Sequence, residues 1–235
     1  MARSFNGSSS DYIGTSFQLP ATGPISFSAW IFFTGSINGT IIGAVTNGGM
    51  QFGVLQGPTT SQLFLVSVAT TIVYNTGSTF PNNIWVHGVL TLDGSKTGNF
   101  YINGVLDSTS PHMTGTSIGG PYNANIGKAG TDYYKGLIAD LAVWNVVLTP
   151  LEIAALAKGV RPPQIRKPSL VGYWPLQGIQ SPEPDLSGYA NNGTLTGTAS
   201  AFGPPLMRAS RRRTRAGIVL PAITFRADRM MLARW

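Results

Sequence analysis

One loop of this sequence gathers most of the side chains that are suited to binding a polar ligand. It spans residues 119–136, reads GGPYNANIGKAGTDYYKG, and offers three rings and two hydroxyl-binding groups: Tyr122, Asn123, Asp132, Tyr133 and Tyr134. A tyrosine ring can cover the apolar face of a sugar while amides and carboxylates bind its hydroxyl groups. The pattern predicts a glycan site. Paired tyrosines at the start of a strand are equally typical of core packing or of a subunit interface, so that interpretation stays open.

Four aspartates supply the hard oxygen ligands that calcium prefers, namely Asp11, Asp132, Asp140 and Asp185. A structural interpretation is favoured for each of them. Asp11 and Asp185 cap turns, Asp132 is solvated in a glycine-flanked loop, and Asp140 accepts an internal hydrogen bond. We therefore predict no cofactor, and Asp11, Asp140 and Asp185 remain the alternative as calcium ligands.

The sequence contains few residues that are suited to catalysis. The only glutamates are Glu152, at a predicted helix cap, and Glu183, between two prolines. The chain has no cysteine and only two histidines, His87 and His112, so a nucleophilic triad or a histidine metal cluster is hard to assemble. His87 lies in an apolar run and is interpreted as a packed or surface residue. We predict that the protein is not an enzyme.

The charge is concentrated at one end of the chain. The formal net charge is +7, and residues 206–235 account for all of it with eight arginines against one aspartate. Such a block is typical of an interaction tail, and its apolar residues argue against disorder. We predict a docking arm for a protein partner, with nucleic acid or the chain's own sandwich as the alternatives. The proposed contact residues are Arg208, Arg211, Arg212, Arg213, Arg215, Phe225, Arg226, Arg229 and Trp235.

The elements that position these residues are mostly strands. Short runs rich in Val, Ile, Phe, Tyr, Trp and Thr alternate with Gly, Asn and Pro, which is typical of an antiparallel sandwich or barrel. The run ISFSAWIFF (25–33) is predicted to place Ile25, Phe27, Ala29 and Ile31 on one face and Ser26, Ser28 and Trp30 on the other. Asn103-Gly104 predicts a type I′ hairpin turn.

A single helix is predicted within LTPLEIAALAKG, residues 148–159. Its signals are an N-cap, a proline at the first position, a capping box, a hydrophobic staple and a left-handed end. The residues that supply them are Thr149, Pro150, Glu152, the pair Leu148 and Ile153, and Gly159.

With these pieces in order, the sequence resembles the laminin-G-like branch of the concanavalin A-like sandwich superfamily. The blocks that carry the resemblance are SFNGSSSDYI, ISFSAWI, NNIWVHGVLTLDGSKTGNFYINGVL, ANIGKAGTDYYKGLIADLAVWNVVLTPLEIAALAKG and LVGYWPLQGIQSPEPDLSGYANNGTLTG. The last block opens such domains in the family but comes last here, so the final strand must pair beside the first. Calcium is the family's usual cofactor. However, the strand that often reads Gly-x-Ile-Asp-Glu in the family is Gly136-Leu137-Ile138-Ala139-Asp140-Leu141 here, so its second acid is missing. The Glu-x-Asp-x-x-Glu triplet of the family's glucan-cutting members is also absent.

The resemblance implies an all-β antiparallel jelly-roll sandwich over residues 1–205, with one short α-helix, followed by the basic C-terminal arm over residues 206–235. The block order is similar to that of laminin-G-like virion proteins of tailed phages. We predict a capsid decoration or accessory protein of a phage virion. Its arm is expected to hold it to a major capsid protein and other virion proteins, and it is expected to form a homo-oligomer. The absence of a secretory signal and of a membrane span in the sequence fits this expectation. The alternative is a carbohydrate-binding adhesion module, and a glycoside hydrolase is a distant third.

Overall fold

The fold is taken from a computed structural model that describes residues 1–20, 22–35, 38–44, 49–67, 72–95, 97–107 and 122–205. Within these residues the elements in chain order are β1 (Ala2–Asn6), β2 (Tyr12–Leu19), β3 (Ile25–Phe33), β4 (Gly39–Gly43), β5 (Met50–Gln56), β6 (Thr60–Ser67), β7 (Ile72–Asn75), β8 (Phe80–Pro81), β9 (Trp85–Leu92), β10 (Gly98–Ile102), β11 (Val105–Leu106), β12 (Tyr122–Ile126), β13 (Lys128–Ala129), β14 (Asp132–Tyr133), β15 (Lys135–Trp144), α1 (Pro150–Ala157), β16 (Leu170–Trp174), β17 (Thr194–Thr196) and β18 (Ala199–Ala201).

Sixteen of the strands form two antiparallel sheets packed face to face, as the sequence predicts, and β13 and β14 form a separate hairpin. Sheet A has the order β11-β10-β9-β3-β15-β1-β18, and β16 also pairs with β15. Sheet B has the order β17-β2-β12-β4-β5-β6-β7, and β8 pairs with β6. The core lies between the sheets, where for example the rings of Phe27 and Phe52 lie 5.9 Å apart. The predicted jelly-roll sandwich is therefore confirmed.

Strand β3 shows how the side-chain alternation produces two layers. Ile25, Phe27, Ala29 and Ile31 enter the core between the sheets, as predicted from the period of two. Ser26 and Ser28, on the opposite face, are also buried. They are covered because the helix and its flanking segments pack on that face of sheet A.

The helix has the predicted boundaries and caps. The Thr149 hydroxyl accepts a hydrogen bond from the backbone N–H of Glu152, the Glu152 carboxylate accepts one from the backbone N–H of Thr149, and Gly159 has a φ of +90°. The buried side of α1 joins a cluster with Trp144 and Tyr173 on the outer face of sheet A. No helix among the described residues is long and apolar enough to span a membrane.

The last strands return to the first ones, which closes the sandwich. Strand β18 pairs with β1, with Ser200 opposite Arg3, and β17 pairs with β2, with Leu195 opposite Ile13. The prediction that the final strand lies beside the first is confirmed. The turn at Asn103-Gly104 has φ values of +52° and +82°, as a type I′ hairpin requires.

Candidate functional site

The outer face of sheet B is polar along two neighbouring strands. In β12 the burial alternates, so Asn123 and Asn125 face outward while Ala124 and Ile126 enter the core. In β2 the core-facing Ile13, Phe17 and Leu19 leave the polar or small residues Tyr12, Gly14, Ser16 and Gln18 on the outside. Asn123 lies opposite Gln18 and Asn125 lies opposite Gly14.

Gly14 has no side chain, and we call the space that this leaves between the neighbouring side chains the furrow. A Cβ atom at Gly14 would lie 3.7 Å from Asn125 Oδ1 and 3.8 Å from the Tyr12 ring. Because these are ordinary van der Waals distances, the missing side chain leaves room for a ligand atom between an amide and an aromatic ring. The Asn125 amide borders the furrow as a polar group, and the Tyr12 ring borders it as an aromatic surface.

The β13–β14 hairpin adds charge and rings at one end of the face. Lys128 Nζ lies 4.5 Å from the centroid of the Tyr12 ring and 5.7 Å from that of Tyr133, which are cation–π distances. Asp132 Oδ2 accepts a hydrogen bond of 2.9 Å from Gln51 Nε2 on β5. This bond fixes the hairpin over sheet B. We call Tyr12, Gly14, Gln18, Asn123, Asn125, Lys128, Asp132 and Tyr133 the polar face.

The polar face can bind a hydroxylated ligand. Amide groups both donate and accept hydrogen bonds, and the ring faces of Tyr12 and Tyr133 can cover a patch of C–H groups. The two outward asparagines lie two positions apart on β12, on either side of an irregularity in its pairing with β2. Binding groups are therefore spread along an open surface, which suits an extended chain of sugar units better than a compact ligand.

The five residues predicted as a glycan site do not form one cluster. Tyr122 packs against the core at the far end of β12, and Asn123 is exposed beside it, while Asp132 and Tyr133 lie in the hairpin beyond the other end of that strand. Tyr12, Gly14, Gln18 and Lys128 were not predicted because they join the site only through strand pairing. The pattern Asn123-Ala-Asn125 was a signal for outward amides that the sequence prediction did not use.

Tyr134 cannot contact a surface ligand, so its prediction as a glycan-binding residue is wrong. It is fully buried, and its ring lies 6.0 Å from that of Phe5 and 5.5 Å from that of Phe33. Burial raises the pKa of its hydroxyl well above the ordinary value. Consecutive residues of extended chain point to opposite sides, and the packing alternative therefore holds for Tyr134 while Tyr133 faces outward.

The calcium candidates each have a structural hydrogen-bonding role. Asp185 accepts four bonds of 2.8–3.0 Å, from the backbone N–H groups of Tyr173, Ser187 and Asn191 and from the Ser187 hydroxyl. These donors occupy the lone pairs that a metal would need. Asp140 Oδ1 accepts a bond of 2.7 Å from the Tyr173 hydroxyl.

Asp11 is also held inside the fold. Its Oδ2 accepts a bond of 2.6 Å from the backbone N–H of Asn6, and burial raises the pKa of the carboxyl. Among the described residues, no three His, Cys, Asp or Glu side chains lie close enough to hold one metal ion. In this structure Asp11 and Asp185 anchor a turn and a loop, and Asp140 accepts a side-chain hydrogen bond within strand β15.

A buried serine–histidine pair lies beneath the helix on sheet A. Ser28 Oγ on β3 is 2.9 Å from His87 Nε2 on β9, the Trp30 ring lies 5.2 Å from the imidazole, and His87 Nδ1 has no hydrogen-bond partner. Burial lowers the pKa of His87 to about 3. Asp140 lines the same small cavity, but its hydrogen bond comes from Tyr173. Because Ser28 and His87 are both buried, the pair offers no accessible nucleophile.

Aromatic side chains form a patch on the part of sheet A that the helix leaves uncovered. The Phe32 ring lies 5.7 Å from that of Trp85 and 5.4 Å from that of Phe202, and the Phe202 side chain is 62% exposed. We call Phe32, Trp85 and Phe202 the aromatic patch. The predicted arm begins four residues after Phe202. Its proposed contact residues lie outside the described part of the chain, namely Arg208, Arg211, Arg212, Arg213, Arg215, Phe225, Arg226, Arg229 and Trp235.

Several solved structures share the fold. A putative carbohydrate binding protein from Bacteroides ovatus superposes with a TM-score of 0.66 at 20% identity, over 87% of this chain and 61% of that one. A heptameric SAP-like pentraxin from Limulus polyphemus superposes with a TM-score of 0.59 at 19% identity, over 68% of this chain and 84% of that one. The binding domain of Paraclostridial Mosquitocidal Protein 1 gives a TM-score of 0.51 at 15% identity, over 66% and 42% of the two chains.

This chain therefore spans about three fifths of the Bacteroides protein, and at these identities the likeness concerns the fold. Curated protein sequences show no significant match to the chain. A family model does match, over residues 6–154, which is more than half of the sequence, and its description is the concanavalin A-like lectin/glucanases superfamily, laminin G type. With both sheets and the family match in agreement, the chain belongs to the concanavalin A-like lectin/glucanases superfamily.

Proposed function

We propose that the protein is a non-catalytic glycan-binding module and that the polar face of sheet B holds the glycan. The observation that carries the proposal is the alignment of outward amides with the Tyr12–Lys128–Tyr133 group along one open surface. Aromatic rings beside convergent amides and a carboxylate match the apolar faces and hydroxyl rims of sugars. The fold shared with a putative carbohydrate binding protein supports the same class of ligand.

The carboxylates of Glu152, Glu183 and Asp132 are all engaged in ion pairs or hydrogen bonds with other side chains, which gives no support to hydrolysis. A glycosidase needs two free carboxyl groups, about 5–5.5 Å apart for retention or about 6.5–9.5 Å apart for inversion. The two glutamates are instead ion-paired, Glu183 with Arg3 and Glu152 with Arg166. Asp132, the carboxylate of the polar face, is hydrogen-bonded to Gln51. A binding function requires no free pair of carboxyl groups, so it is compatible with this arrangement.

The proposal is tested by glycan-array binding of the full chain, followed by calorimetric titration of the best oligosaccharide. Tyr133→Ala removes a ring from the face, and Gly14→Val fills the furrow where a Cβ fits without a close contact. We expect each variant to weaken binding at least tenfold. Tyr189→Ala is the matched control because Tyr189 is a 60% exposed tyrosine outside the face. Equal affinity in Tyr133→Ala, Gly14→Val and the control would contradict the proposal.

The second candidate function is a structural protein of a phage virion that docks on neighbouring subunits. It is favoured by the position of the aromatic patch, which ends at Phe202 just before the arginine-rich residues 206–235. Apolar rings would supply buried area to an interface, and the arginines would pair with carboxylates of a capsid protein. In this role the location is the virion, and a homo-oligomer is the proposed state. A heptamer of similar fold occurs in the Limulus pentraxin.

Truncation after Pro205 separates the two functions. A virion protein loses its attachment to particles in a density gradient, and a glycan-binding module keeps its affinity for the oligosaccharide. Phe202→Ser tests the patch with the arm in place, and we expect it to reduce particle occupancy. Light scattering after size-exclusion chromatography of the full and truncated chains shows whether the same region also joins copies of the protein.

A further inference from the structure

A cleft at the edge of the sandwich belongs to neither the polar face nor the aromatic patch. It has a volume of about 280 Å³ and is formed by the segment after β16, with walls from Pro175, Gln177, Ile179, Gln180, Glu183, Pro184 and Leu186. Ligand pockets in proteins usually measure roughly 300–1,000 Å³, so this cleft is just smaller than that range. Its size suits a ligand of one ring.

The cleft has two kinds of wall. Pro175, Ile179, Pro184 and Leu186 give an apolar side, and Ile179 and Leu186 are 61% and 54% exposed at its mouth. Gln177 and Gln180 bring side-chain amides, which can donate and accept hydrogen bonds. An apolar wall opposite amide groups matches a molecule with one C–H face and a rim of hydroxyls.

The charge at the cleft is balanced, which excludes ionic ligands as its natural class. Glu183 is 2% exposed, and its Oε2 accepts hydrogen bonds of 3.0 and 2.8 Å from Nε and Nη2 of Arg3. A cation would compete with the Arg3 guanidinium for the Glu183 carboxylate, and an anion would compete with that carboxylate for the guanidinium. A neutral ligand avoids both costs.

The walls are fixed before any ligand arrives. Glu183 and Gly193 exchange two backbone hydrogen bonds of 2.8 and 2.7 Å, and the Leu186 N–H donates to the Tyr173 carbonyl at 2.7 Å. Arg3 Nη2 also donates to the Gln180 carbonyl. Since the segment is held at several points, binding costs little ordering of the protein.

We propose that this cleft binds a single neutral pyranose ring, such as the terminal residue of a glycan, as a second site apart from the polar face. The ligand class rests on the glycan-binding function proposed above, whereas the location rests on the cleft alone. The apolar wall contacts the ring's C–H face, and the two glutamine amides bond its hydroxyl groups.

The test is saturation-transfer NMR of the full chain with four probes, the methyl pyranosides of glucose, galactose, mannose and N-acetylglucosamine. We expect transfer to at least one of them and a loss of at least tenfold in affinity in Gln177→Ala and in Leu186→Ala. Ile84→Ala is the matched control, because Ile84 is an exposed apolar residue outside the cleft. Tyr133→Ala alters the polar face only, so transfer that persists in Tyr133→Ala and falls in both cleft variants comes from the cleft.

Three results would overturn the inference. These are no transfer from any of the four probes, transfer that both cleft variants leave unchanged, and transfer that disappears in Tyr133→Ala instead. The first two leave the oligosaccharide titrations of the polar face untouched, and the third would strengthen the polar face as the site. Failure of the cleft and failure of the proposed function are therefore separate outcomes.

Discussion

The buried histidine predicts a specific loss of stability in mild acid. His87 is 1% exposed, bonded to Ser28 and left without a partner at Nδ1, and burial lowers its pKa from 6.5 to about 3. The unfolded chain takes up the His87 proton as the pH falls through 6.5, while the folded protein excludes it until about pH 3. The stability contributed by the neutral imidazole is therefore complete above pH 6.5 and is lost progressively between those two values.

The magnitude follows from the two pKa values. At pH 5 the solution is about 1.5 pH units below the unfolded pKa, and each unit is worth about 1.4 kcal/mol, so the loss relative to pH 7 is about 2 kcal/mol. Asp140 lines the same cavity, and burial raises the pKa of its carboxyl. That shift acts in the opposite direction, because a folded protein that holds a proton more tightly gains stability as the pH falls. A comparison of wild type with His87→Gln is therefore needed to isolate the histidine.

The assay is urea unfolding at pH 7 and pH 5, followed by tryptophan fluorescence, for wild type and His87→Gln. Gln can keep a hydrogen bond to Ser28 and does not titrate, so its free energy of unfolding should fall by about 2 kcal/mol less between pH 7 and pH 5 than that of wild type. His112 is present in both proteins and cancels in the difference. If the two proteins lose the same free energy within about 0.5 kcal/mol, the neutral buried imidazole is refuted.

Three further substitutions test the fold that carries both proposed sites. Thr149→Ala removes the N-cap of α1 and should lower the free energy of unfolding by about 1 kcal/mol, with Thr149→Ser as the conservative control in the same denaturation assay. Gly136→Ala is expected to be strongly destabilising, because a Cβ there would lie 2.1 Å from the Phe32 carbonyl oxygen at a φ of +142°; a melting temperature equal to wild type would contradict this. Glu183→Gln leaves the Arg3 charge buried and unpaired and should cost about 3–5 kcal/mol in urea unfolding, and a loss below about 1 kcal/mol would show that the pair is not desolvated.

The elements that the sequence predicts correctly are those specified by neighbouring residues. The capping box needs only Thr149 and Glu152, three positions apart, and the type I′ turn needs only Asn103 and Gly104. The alternation of β3 identifies its core face because apolar residues recur every second position. Even the pairing of the last strand with the first follows from the order of recognisable blocks.

The candidate sites were predicted less well because they are built across strands. Tyr133 and Tyr134 look equivalent in sequence, yet one joins Lys128 on the surface and the other packs on Phe5 and Phe33. The pairing of Ser28 with His87 joins β3 to β9 over a separation of 59 residues. No local pattern specifies which outward residues of separate strands become neighbours.

The sandwich class, the capped helix and the concentration of positive charge in residues 206–235 can all be derived from the amino-acid sequence. The hydrophobic period and the capping residues are patterns of a few neighbouring residues. The charge distribution is a matter of composition and needs no knowledge of contacts. Three-dimensional packing places Asn125, Tyr12 and Lys128 on one face and supplies the backbone N–H groups that bond Asp185. It also pairs Arg3 with Glu183, which lines the cleft. Strand register and burial set those contacts, and both are fixed by the pairing of segments far apart in the chain.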